Sequence, residues 1–199
     1  AMAVASNGQL AVGRYGEIQL GDKALKGIPG KVNAIAISPD AKWLAVASGV
    51  PGLYGVAVLF DLDSGDHVRE FRQGHRDALY GVAFSPDGQR LGTAGYDRLI
   101  QLWDAKTGKL LNTLKGHNGA VYSIAFSPDG KTIAGAGVGL GGTRSVYLWD
   151  LGNPKPSKQI EGHTGDIYRV RFHPTKGDRL LTADYSGVIH IWDTVSGKS

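Results

Sequence analysis

An all-β chain, built from four-stranded antiparallel units stacked on one another, is the fold class this sequence predicts. Three observations lead there. A pair of motifs returns along the chain at a period in the forties. Short runs rich in β-branched and aromatic residues alternate with clusters of turn formers. Thirty glycines and a single methionine in 199 residues favour tight turns over long helices.

The repeat is read directly. Residues 26–41 (KGIPGKVNAIAISPDA), 74–88 (GHRDALYGVAFSPDG), 116–130 (GHNGAVYSIAFSPDG) and 162–176 (GHTGDIYRVRFHPTK) align. Each leads to a second match: LFD at 59–61, LWD at 102–104, LWD at 148–150 and IWD at 191–193. Gly27, Gly74, Gly116 and Gly162 are spaced by 47, 42 and 46 residues. A degenerate fifth copy opens the chain, with Ser6-Asn7-Gly8 at the turn and IQLGD (18–22) against IQLWD (100–104).

Within a copy the elements follow in a fixed order. The first strand, such as Val82-Ala83-Phe84, ends in Ser-Pro-Asp-Gly. There Pro86 presets φ, Asp87 suits the next position and Gly88 tolerates positive φ. A second strand and a third, ending in Trp-Asp, come next. Ser64-Gly65 or Thr107-Gly108 then turns the chain into a fourth. One such meander cannot bury both of its faces, so the units must stack.

Gly-His, then SPDG, then Trp-Asp at this spacing resembles the WD40 repeat family, in the SPDG-rich form common in bacteria. The resemblance covers essentially the whole chain, as repeats at about 1–26, 27–73, 74–115, 116–161 and 162–199. It implies a β-propeller, or part of one. A seven-bladed ring needs roughly 300 residues by repeat arithmetic. The final repeat lacks a strand after Trp192-Asp193. The expected inventory is therefore nineteen strands, with 188–192 as an unpaired edge. Further blades or a second copy of the chain are the expected cover; a strained five-bladed ring is the alternative.

The resemblance also implies a buried hydrogen-bonded set in each ideal blade: His, Ser/Thr, Asp and Trp. His75, Thr93, Asp97 and Trp103 form the complete set in one repeat. Elsewhere it is expected to be broken. Ser186 holds the Asp position of the last repeat, and the turn after Gly137 is expanded. Ile28 and Phe60 replace His and Trp in the second repeat, and Gly21 replaces Trp in the first. Blades lacking the set are expected to be less rigid.

Several signals mimic chemistry. Residues 137–142 (GVGLGG) match G-x-G-x-x-G, but a dinucleotide site needs a helix after the loop, and a strand follows here. His67, His173 and His190 show no metal-ligand spacing, and zero cysteines exclude thiolate sites. No catalytic residues, metal or cofactor are expected. The formal charge of +4 is scattered, with its densest group at Arg169, Arg171, Lys176 and Arg179. Nucleic acid is therefore not an expected partner. The longest apolar runs are too short to span a bilayer, so no membrane partner is expected either.

In the family pattern, the Gly-His loops share a rim with the turns between second and third strands. That rim is the expected contact surface for a protein or peptide. Its candidates are Lys31 and Asn33, Tyr80, Tyr122 and Tyr168 at the starts of inner strands, Tyr96 and Tyr185 in adjoining turns, and Leu53, Tyr54 and Leu140 in two long loops. The three strand-start tyrosines fit two roles, plugging an inner channel or contacting a partner. The main reading is a non-catalytic binding scaffold. The alternatives are a ligand-binding or enzymatic propeller with an axial site, and a structural module serving a neighbouring domain.

Overall fold

A computed structural model describes residues 1–5, 8–139, 144–153 and 155–199. The turn residues Ser6 and Asn7, and Leu140 of the rim candidates, lie outside the described residues.

Nineteen strands and no helix occur among the described residues. The first blade comprises β1 (Met2–Val4), β2 (Leu10–Gly13), β3 (Tyr15–Leu20) and β4 (Lys23–Lys31). The second has β5 (Ala34–Ile37), β6 (Trp43–Val50), β7 (Tyr54–Asp61) and β8 (His67–Phe71). The third has β9 (Leu79–Phe84), β10 (Arg90–Gly95), β11 (Ile100–Asp104) and β12 (Leu110–Leu114). The fourth has β13 (Val121–Phe126), β14 (Thr132–Gly137), β15 (Val146–Asp150) and β16 (Lys158–Ile160). The fifth has β17 (Ile167–Phe172), β18 (Arg179–Asp184) and β19 (Ile189–Asp193). Blades three and four are separate four-stranded antiparallel sheets, and blade five has three strands.

The tight turns arise as their chemistry requires. In the β9–β10 turn the Asp87 carboxylate accepts from the Ser85 hydroxyl at 2.5 Å and the Gln89 N–H at 3.0 Å. Gly88 sits at φ 69°, a region costly for a residue with Cβ. The first two blades join more closely than the repeat suggests. β4 runs on through residues 27–31 and pairs with β6 by one parallel bridge, Gly30 to Gly49. Gly-Ile-Pro-Gly stands there instead of a Gly-His loop, and the Ser48 hydroxyl donates to the Pro29 and Lys31 carbonyls.

The core lies between blades. Ile18, Leu20, Val46 and Phe60 cluster between the first and second; Ala57, Leu59, Leu91 and Trp103 between the second and third. Ile100, Leu102, Ile133 and Trp149 fill the next gap, and Val146, Leu148, Leu180 and Trp192 the last. Alternation explains the pattern. In β11, Trp103 faces the preceding blade while Ile100 and Leu102 face the following one. β19 has the same pattern, but Ile189 and Ile191 are 64% and 61% exposed. The inner strands β1, β5, β9, β13 and β17 pack in that order and together line one channel.

Candidate WD40 network and tyrosine rim

The buried set of the third blade is a directed chain of hydrogen bonds. Trp103 Nε1 donates to Thr93 Oγ1 at 2.8 Å. The indole N–H has no acceptor capacity, so the threonine hydroxyl proton goes to His75 Nε2, also at 2.8 Å. His75 Nδ1–H then donates to Asp97 Oδ2 at 2.8 Å. Burial works to raise the Asp97 pKa. The bonds from His75 and from the backbone N–H groups of Arg76 and Leu99 outweigh it and hold the carboxyl below its ordinary value.

The expectation of a single complete set needs correction. The fifth blade repeats the chain: Trp192 to Thr182 at 2.7 Å, Thr182 to His163 at 2.6 Å, and His163 to Asp184 at 2.7 Å. The carboxylate comes from Asp184, two residues after the threonine, and not from the aligned position of Ser186. Residues i and i+2 of a strand share a face, so Asp184 extends from β18 beside Thr182. Ser186 serves it instead, donating its hydroxyl to Asp184 Oδ1 at 2.6 Å. Burial again opposes and is again outweighed, by the Ser186, His163, Val188 and Gly165 donors, so the Asp184 pKa is depressed.

The second and fourth blades solve the same position differently. In the second, Ile28, Val46 and Phe60 take the three places and are all buried in one apolar cluster. Matched apolar groups leave no stranded donor. In the fourth, Gly135 stands at the threonine position, and Trp149 Nε1 turns to the Lys115 carbonyl at 3.3 Å. His117 is buried between Tyr147 and Trp149, at centroid distances of 4.6 and 5.4 Å. Its Nε2 has no hydrogen-bond partner among the described residues. Burial lowers its pKa from 6.5 to about 4, outweighing a backbone hydrogen bond with Gly135 that works to raise it.

Tyr80, Tyr122 and Tyr168 are the second residues of β9, β13 and β17. Tyr80 lies 5.4 Å from Tyr122 and 6.1 Å from Tyr96, and Tyr168 lies 5.1 Å from Tyr185. Tyr80, Tyr122, Tyr168 and Tyr185 line a cavity of about 390 Å³ at the channel mouth, with Asn33 and Arg169. Tyr96, Tyr168 and Tyr185 are 50%, 43% and 71% exposed, while Tyr80 and Tyr122 are half-buried. Burial raises the Tyr80 and Tyr122 phenol pKa values, and the neighbouring tyrosines add to the effect. Asn33 also ties blades together, donating to the Leu79 carbonyl at 2.8 Å.

Lys31, Leu53 and Tyr54 do not line that cavity. Lys31 is exposed at the end of β4, and Leu53 is exposed in the β6–β7 turn. Tyr54 is half-buried against the first core cluster, with the Arg72 guanidinium 5.7 Å from its ring centroid. The basic group noted in the sequence is divided: Arg169 lines the tyrosine cavity, and Arg179 pairs with Asp193. His190, on β19, packs edge-on against the His163 ring at 4.8 Å. Asp184 is the site residue that sequence alignment missed; its signal was the Thr-Ala-Asp triplet, which places hydroxyl and carboxylate on one strand face.

The family model for the WD domain, G-beta repeat, matches residues 23–49, 65–104, 108–150 and 154–193. An uncharacterised WD repeat-containing protein of Synechocystis is 36% identical over 89 residues, covering 40% of this chain and 22% of that protein. Periodic tryptophan protein 2 of Saccharomyces cerevisiae is 33% identical over 82 residues, covering 41% of this chain and 8% of its own length. Protein groucho of Drosophila melanogaster is 41% identical over 78 residues, covering 39% and 10%. The aligned parts thus span less than a quarter of each of these relatives. With four repeats matched across most of its length and blades of the corresponding build, the chain belongs to the WD40 repeat family.

Proposed function

We propose that this chain is a non-catalytic module that binds a protein or peptide on the rim bearing Tyr80, Tyr96, Tyr122, Tyr168 and Tyr185. WD40 repeats are in general interaction scaffolds. The convergence of four tyrosines from three blades at the channel mouth, with Tyr96 packed against Tyr80 beside them, carries the proposal. Tyrosine offers large contact area, a polar tip and a small entropic loss on ordering, and is enriched where binding energy concentrates. Buried phenols plugging the channel would have little left to offer a partner; three of these five are substantially exposed.

The test is affinity capture with the wild type, with Tyr80→Ala/Tyr122→Ala/Tyr168→Ala, and with Asp87→Ala/Asp129→Ala on the opposite turn face. A partner held by the wild type and the turn variant, but lost by the folded tyrosine variant, supports the rim. Loss in the turn variant with retention in the tyrosine variant overturns it. A small-molecule site is the second reading, favoured by the same cavity, whose volume falls in the range of ligand pockets.

A further inference from the structure

We infer that the partner segment is acidic and lies in the groove between blades three and four. The inference rests on the rim reading above and adds the chemistry of the partner. The groove is about 770 Å³. Its walls are the Gly-His loops of the third and fourth repeats and the β10–β11 turn.

Three cations border it: Arg76, Arg98 and Lys115. All three are exposed, and none is in an ion pair among the described residues. The two carboxylates on the same groove are already engaged. Asp77 Oδ1 accepts from the Gly52 and Ala78 N–H groups, each at 2.8 Å. Asp97 is held by His75 and by the N–H groups of Arg76 at 3.0 Å and Leu99 at 3.2 Å. The groove lining therefore carries three cations against two carboxylates, a net positive charge, and the carboxylates already hold protein donors. An acidic segment is its electrostatic complement.

A second observation concerns Arg98. It sits at φ 68°, in the left-handed region that a side chain disfavours. The matching position of the fifth blade, also two residues before the third strand, is Gly187 at φ 87°. Arginine thus stands where the backbone prefers glycine, and strain of this kind concentrates at binding sites. Tyr96 lines the same groove and touches Tyr80, so groove and tyrosine cluster are continuous.

The test screens the whole chain against an immobilised library of short peptides randomised at every position. Peptides retained by the wild type should be enriched in Asp and Glu. Arg76→Glu/Arg98→Glu/Lys115→Glu should reverse that enrichment and weaken a selected acidic peptide by about tenfold or more at low salt, less at high salt. Retained peptides without acidic enrichment, or an unchanged set after charge reversal, would overturn the acidic partner. If those peptides are still lost on Tyr80→Ala/Tyr122→Ala/Tyr168→Ala, the rim reading survives. If they also ignore the tyrosine variant, or no peptide is retained, both fail. Single-stranded oligothymidylate is the control. If it binds as tightly as the acidic peptide, with the same dependence on the three cations, the groove serves a generic polyanion and the inference is wrong.

Discussion

His163 Nδ1 lies 2.7 Å from Asp184 Oδ2, in a pair whose side chains are almost wholly buried. The same carboxyl accepts from the N–H groups of Gly165, Ser186 and Val188. Asp184→Ala leaves those donors without an acceptor, at a cost of about 1–3 kcal/mol for each one stranded away from water. Asp97→Ala should cost a comparable amount in the third blade. Asp129, in the exposed β13–β14 turn, accepts from the Ser127 hydroxyl and the Lys131 N–H. Asp129→Ala should cost about 1 kcal/mol or less. Denaturant melts compare the three; equal losses at all of them contradict the network argument.

The fourth blade should be the acid-sensitive one. Folded His117 titrates at about 4, whereas its ordinary value is 6.5. As pH falls below 6.5 the unfolded chain takes up a proton that the folded chain refuses. Stability is therefore lost through that window, reaching about 3 kcal/mol near pH 4. Asp97 and Asp184 are depressed groups of the opposite kind. Their contribution is present above the ordinary carboxylate value of 3.8 and is lost only as pH falls further, through their folded values. The two windows separate. His117→Gln should flatten the stability profile between pH 6.5 and 4 and leave the lower limb intact. Urea titrations across pH measure both slopes.

Restoring the missing hydroxyl to the fourth blade should fail. A Cβ on Gly135 would meet Ile100 Cδ1 at 2.6 Å, His117 Nε2 at 3.0 Å and Trp149 Cζ3 at 3.1 Å. Gly135→Thr is therefore expected to destabilise by about 1–3 kcal/mol through overpacking, despite matching the family pattern. A higher melting midpoint in this variant would show that the gap can open.

Alanine scanning against an identified partner should find the damaging positions at Tyr80, Tyr122 and Tyr168, with losses of about 2 kcal/mol at the strongest. Leu53→Ala should matter less, since it stands outside the tyrosine cavity. A hot spot on the Ser-Pro-Asp-Gly turns would move the contact surface to the other face.

The outer face of the fifth blade should drive self-association of this 199-residue chain. Ile189 and Ile191 occupy the places that Ile100 and Leu102 fill in the third blade, yet they lie open to solvent. Met2 and Val4 expose apolar surface on the first blade as well, at 71% and 65%. Native mass spectrometry over a concentration series should show species above 21.1 kDa, and Ile189→Lys/Ile191→Lys should shift the population to monomer. A monomer at every concentration, with the β19 amides protected from exchange, would mean that the strand is covered within one chain.

Strand count, turn chemistry and blade order were legible in the sequence by itself, because each depends on local spacing. Ser-Pro-Asp-Gly forms a turn wherever it stands, and an alternating strand has two faces whatever it meets. The His75, Thr93, Asp97 and Trp103 set was expected on a different ground, the resemblance to the WD40 family, which names the four positions that spacing alone does not. What only the tertiary structure decided depends on direction and distance between elements. Sequence alignment places Ser186 opposite Asp97, but the pleat of β18 carries Asp184 to His163 first. The spacing that strands His117 is set by the neighbouring Ile100 and Trp149, which leave no room for a Cβ at Gly135. Arg76, Arg98 and Lys115 are scattered along the chain and meet at one groove because the Gly-His loops and the β10–β11 turn share a rim. Periodicity fixes which way a side chain faces; packing between blades fixes what it finds there.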